Sequence, residues 1–184
     1  MLDRLLENYK AFIDGRTRAH DAYVAGLKEL GENYSGALLT DKIKTFEKAY
    51  DAAQSGLQSE YVPELKAELA EGRDAVLRAM TQPISRSLKA LPLSDADKAS
   101  VLQMAKVSNA ARRLVVELLG LTEDDLPPSG DRVLENIAFL EKLIMASVDH
   151  PSSTSFVRLL VQGNLISKIQ AEATAFVSAY SATV

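Results

Sequence analysis

From His150 to Val184 the only charged side chains are Arg158, Lys168 and Glu172. In that stretch Phe156, Leu159, Leu160, Ile166, Ile169, Phe176, Val177 and Tyr180 recur at helical spacing. Small residues lie between them: Ala171, Ala173, Thr174, Ala175, Ser178 and Ala179. A helix that is apolar nearly all round must be covered nearly all round. The stretch therefore predicts either the central helix of a bundle or the seam of an oligomer. It does not predict a membrane span, because Ser and Thr dilute it and no segment approaches the ~18 uncharged apolar residues a span needs.

The remainder of the chain points the same way. Leu and Ala dominate, against only 9 Gly and 6 Pro, a balance that favours helix. A length of 184 residues favours one domain whose core needs no covalent staples. The sequence reads as an all-α, single-domain helical bundle of five to six helices over 1–184, divisible near Leu91-Pro92-Leu93 into 1–92 and 93–184.

The first helix is expected from about Leu2 to Leu30. Leu2, Leu5, Tyr9 and Phe12 fall at good heptad seam positions, whereas Arg16, Ala19 and Gly26 continue the spacing poorly. Asp14-Gly15 predicts a bend. Gly31 to Leu39 reads as a loop, and Thr40 as the cap of a second helix with a stripe of Ile43, Phe46, Tyr50, Ala53 and Leu57. Pro63 fits the first turn of a third helix, whose buried face is Leu65, Leu69, Val76 and Met80, with Gly72 between them. Pro83 ends or kinks it. Ser94-Asp95-Ala96-Asp97 is a helix start, and the helix is expected to run to Leu119 with Gly120 closing it. Met104, Val107, Ala111, Leu114, Val115 and Leu118 share its widest face, with Leu102 and Val116 outside. Asp131 is expected to cap a helix to about Val148 with Val133, Ile137, Leu140 and Ile144 inward.

Chemistry is sparse. There are no cysteines, which excludes disulfides, a thiolate nucleophile and Cys-ligated metals. Two histidines cannot build a three-histidine site. Glu60, Glu64, Glu68 and Glu71 form a carboxylate stripe, the one weak metal candidate. A helical metal site needs matched ligands on a second helix, and no Glu-x-x-His accompanies the stripe. Asp124 to Glu135 resembles a calcium loop but fails on register. His20 beside Asp21 and Asp149 beside His150 bring no nucleophile motif with them. No phosphate loop is present. Lys98, Lys106, Arg112 and Arg113 form a basic group without interleaved aromatics, in a chain of net charge −4, so nucleic acid is not the expected partner.

These absences favour a non-enzymatic protein–protein interaction or assembly protein: an adaptor, inhibitor or structural subunit. No cofactor is expected. Self-association or a protein partner is, through the seam residues Leu2, Leu5, Tyr9, Phe12, Phe156, Leu160, Phe176 and Tyr180. A metal-dependent helical hydrolase or oxidase using the Glu stripe is one alternative, and a helical pocket for a small ligand another. No leader segment is read at the start, and a cytoplasmic setting is expected. In texture the chain resembles small helical accessory proteins of bacteria and their phages, a likeness that rests on no motif and implies no function.

Overall fold

A computed structural model describes residues 2–81, 94–120, 122, 126, 128–150 and 154–181. Among them there are seven α-helices and no strand. They are α1 (Leu5–Asn33), α2 (Gly36–Thr81), α3 (Asp95–Val107), α4 (Asn109–Leu119), α5 (Gly130–Asp149), α6 (Thr154–Val157) and α7 (Leu165–Ser181). Between α6 and α7 the backbone makes a π-helical turn, Arg158–Gln162, closed by the Gly163 N–H donating to the Arg158 carbonyl.

Several boundaries depart from the sequence expectation. Helix α1 runs unbroken past Asp14-Gly15 to Asn33. The expected loop from Gly31 to Leu39 shrinks to Tyr34-Ser35, because Gly36 takes a left-handed φ of 62° that reverses the chain at once. Thr40 is therefore no cap; its hydroxyl donates to the Gly36 carbonyl inside α2. The expected second and third helices are one helix of 46 residues, with Pro63 in its interior. At 1.5 Å per residue α2 is roughly 70 Å long.

Ser94 does cap α3, accepting from the Asp97 N–H. The expected long helix that follows breaks at Ser108, whose hydroxyl accepts from Ala111 N–H to start α4. The break rephases the apolar face: Met104 and Leu114 are exposed, while Leu102, Ala105, Val115 and Leu126 form a small cluster joined by Val101 and Val116. Gly120 closes α4 in the left-handed region. The cap of α5 is Ser129, not Asp131, since the Ser129 hydroxyl accepts from Arg132 N–H. The expected features at Pro83 and Leu91-Pro92-Leu93, and Asp124 at the start of the calcium-loop resemblance, lie outside the described residues.

The main core forms where the first half of α1, the second half of α2, α5 and α7 meet. Leu5 and Tyr9, Leu65, Leu69 and Val76, Val133, Ile137, Leu140 and Ile144, and Ile169, Ala173 and Phe176 fill it. The inward faces expected for α5 and for Leu65, Leu69 and Val76 of α2 are the ones buried. The C-terminal stretch is not a helix covered on all sides, the first of the two placements expected for it. It breaks at Gly163-Asn164, and Leu159, Ala171, Thr174, Ala175 and Ser178 are exposed. Ala, Ser and Thr present little apolar area, so leaving them in water costs little.

Candidate functional site

The core side chains of α1 end at Arg16, and those of α2 begin at Leu65. Between them, from Thr17 to Glu64, no side chain is buried. The outer part of α1 and the facing part of α2 thus form a two-helix arm that leaves the core. Its α1 side, residues 17–33, spans about 25 Å.

The root of the arm is held by polar side chains. Arg16 is buried, and its Nη1 donates to the carbonyls of Ser147 (3.1 Å) and Val148 (3.2 Å). These belong to the last turn of α5, where carbonyls lack intrahelical partners and positive charge is favoured. Arg16 Nε donates to Gln54 Oε1 on α2 (3.2 Å), and the guanidinium lies 5.2 Å over the Phe12 ring. Burial holds the Arg16 pKa below its ordinary value. One turn earlier, the Tyr9 hydroxyl donates to Ser147 Oγ (2.9 Å), which donates in turn to the Ile144 carbonyl (2.7 Å). Burial raises the Tyr9 pKa, and the Ser147 hydrogen bond partly offsets it.

Outward from the root the two helices share one seam. The Tyr23 ring stacks against Tyr50 (centroids 4.5 Å) and Phe46 (5.6 Å). Gly26 makes this possible: a Cβ there would lie 2.2 Å from Phe46 Cζ. At the tip Lys42 Nζ sits 5.8 Å from the Tyr34 ring centroid. The seam leaves apolar side chains over, since Val24 is 52% exposed, Leu38 56% and Tyr34 37%. Near the root one side of the arm opens into a groove of about 550 Å³ lined by Gly15, Ala19, Ala53, Gly56 and Leu57, with Arg18 and Glu60 on its rims. No catalytic chemistry is assembled there.

The residues singled out in the sequence are dispersed. Of the acidic stripe, Glu68 is buried and bound to Arg4 (3.1 Å), while Glu60, Glu64 and Glu71 are exposed. No group of three or more His, Asp or Glu able to hold a metal ion occurs among the described residues. His20 lies by the Tyr50 ring (6.5 Å), and His150 is exposed at the end of α5. The basic group turns partly inward: Lys106 is buried with its Nζ 5.2 Å from the Tyr180 ring centroid, and Arg112 donates to the Leu126 carbonyl. Leu2, Leu5, Tyr9, Phe12, Leu160, Phe176 and Tyr180 are buried within this chain, and Phe156 packs at the core edge.

The groove residues Gly56, Ala53 and Arg18 carry no motif. One signal for the arm does exist: Gly15 and Gly26 are eleven residues apart, as are their partners Leu57 and Phe46. Eleven residues make about three helical turns, so each pair falls on one face of its own helix. No protein-family model, curated protein or solved structure matches the chain.

Proposed function

We propose that this chain is a non-enzymatic protein–protein interaction or assembly protein, and that the two-helix arm is its docking element. The observation that carries the reading is the unburied run from Thr17 to Glu64. Helices draw most of their stability from packing an amphipathic face. Here the ring contacts beyond the root run between the two arm helices, Tyr23 with Phe46 and Tyr50, and Val24 and Leu38 remain more than half exposed. Exposed aromatic and aliphatic side chains on a projecting element are accessible anchors for a partner. Leu2, Leu5, Tyr9 and Phe12 are enclosed by their own chain, so the reading moves the contact outward along α1 from the seam residues at its start. The remainder is read as a single helical bundle supporting the arm, since its main core draws on both halves of the sequence from Leu2 to Tyr180. A cytoplasmic setting accords with a cysteine-free chain.

Site-specific photo-crosslinking tests this. A photoreactive residue is placed at Val24 or at Leu38, and as a control at Met104, which is 60% exposed on α3. Crosslinked adducts are expected from the two arm positions and not from Met104. Absence of adducts from the arm, or equal yields from all three sites, overturns the reading.

A further inference from the structure

Gly56 stands in the interior of α2, where glycine weakens a helix relative to alanine. A Cβ added there would meet nothing within 4 Å. The contrast with Gly15 and Gly26 is plain, for those two give room to Leu57 and Phe46. Gly31 also meets nothing, but it sits in the last turn of α1, where helices commonly end. Gly56 thus has no packing reason among the described residues, and it lies in the groove at the root of the arm beside Ala53, Ala19 and Gly15. With no Cβ on Gly56 and only a methyl on Ala53 and on Ala19, the surface admits close approach by another backbone.

The rims of the groove say which backbone. Arg18 is exposed, and among the described residues its hydrogen bond goes to its own Asp14 carbonyl. Glu60 is exposed, and neither residue enters an ion pair among the described residues. One face therefore carries a cation on its α1 side and an anion on its α2 side. A two-fold axis lying in that face exchanges the two positions, so each charge of one copy meets its opposite in the other, and the contact closes after two copies.

We propose that the groove is the seat of a second copy of this chain, with Gly56 allowing the arms to approach closely and Arg18 of each copy facing Glu60 of the other. This rests on the reading of the arm as the docking element and names its partner. The apolar Leu57 floor supplies buried area, and the paired rims fix the orientation and exclude like-charged partners.

The test is the mass of the full chain by light scattering and sedimentation across a dilution series, with four variants. The natural chain is expected to form a dimer. Gly56→Met is expected to be monomeric, with a melting temperature no lower than that of the parent at dilutions where the parent is itself monomeric, because the new side chain disturbs only the groove. Arg18→Glu and Glu60→Arg are each expected to weaken the dimer about tenfold or more, since each sets like charges together. The doubly swapped chain is expected to recover most of that loss. A monomer at every concentration overturns the proposal, as does a dimer unaffected by Gly56→Met, or a double swap no better than its singles. If the chain is monomeric while Val24 and Leu38 still crosslink to a different protein, the arm remains the docking element and only the second copy is wrong. If those positions crosslink to nothing, both readings fall.

Discussion

Arg16 occupies a seam position where the heptad pattern of α1 asks for an apolar side chain, and the reason lies at the end of another helix. Its guanidinium supplies donors to two carbonyls of the last turn of α5 while its stem packs against Phe12. Truncation leaves those carbonyls and Gln54 without their donor. Arg16→Ala is expected to lower stability by about 2–4 kcal/mol, read as a lower urea midpoint at unchanged slope. Lysine keeps the charge and loses the fork, so Arg16→Lys is expected to fall between the two. A loss under half a kcal/mol for Arg16→Ala would remove Arg16 from the role. The neighbouring Tyr9 gives a prediction in pH. Its folded pKa is raised above the ordinary value of 10.0, so ionisation is easier in the unfolded chain. The stability it contributes is complete below about pH 10 and is lost as pH rises through the folded value. Unfolding midpoints followed from neutral to alkaline pH are expected to fall less steeply above pH 10 in Tyr9→Phe than in the parent; parallel curves would refute this. Sequence placed Tyr9 on an apolar stripe correctly. It discounted Arg16 because a buried cation is legible only with its carbonyl partners, and Ser147 and Val148 lie more than a hundred residues away.

At the scale of elements, periodicity located the faces and punctuation misplaced the ends. Leu65, Leu69, Val76 and the α5 stripe are buried as their spacing requires. Pro63 looked like a helix start because proline suits a first turn, yet α2 runs through it. There it leaves the Ser59 carbonyl without its usual donor, on an exposed side where water can serve. The break at Ser108 was missed for the converse reason, since nothing around it punctuates and a single hydroxyl sets the new helix start. The glycines of the arm test how far local propensity decides. Replacing helical glycine by alanine gains up to about 1 kcal/mol of helix propensity. At Gly26 that gain is opposed by the Phe46 ring 2.2 Å from the new Cβ, and overpacking costs about 1–3 kcal/mol. Gly26→Ala is therefore expected to loosen the arm, seen as faster amide exchange on both its helices with the α5 amides unchanged. At Gly56 nothing opposes the gain, and Gly56→Ala measured in dilute protein is expected to slow exchange across the same segment. Equal and same-signed changes at the two sites would mean that the aromatic ladder does not hold the arm.

The whole molecule combines a packed core with an element that has almost none. All-helical character followed from composition and spacing, because both are local properties. The arm did not, because projection is a statement about which faces lack neighbours, and the stripe Ile43, Phe46, Tyr50 and Leu57 looks like any core stripe until the exposure around it is known. The same blindness left the C-terminal stretch and α1 unplaced: the charge-poor stretch leaves small residues of one face in water, and the amphipathic helix reaches outward. Stability should divide along this line. Amides of α5, α7 and the second half of α2 exchange only when the core opens, whereas those of the arm exchange through local opening at lower free energy. Phe176 is fully buried in the core, so Phe176→Ala is expected to cost about 3–5 kcal/mol of global stability. In native-state hydrogen exchange on dilute protein that loss is expected to appear in full at Ile137, Ile144 and Ile169, and not at Ala25 or Lys44 in the arm. The arm amides already open without the core, so a weaker core does not change their opening until global unfolding becomes the easier route. A uniform drop across both sets would show one cooperative unit, with the arm as firmly held as the helices beneath it.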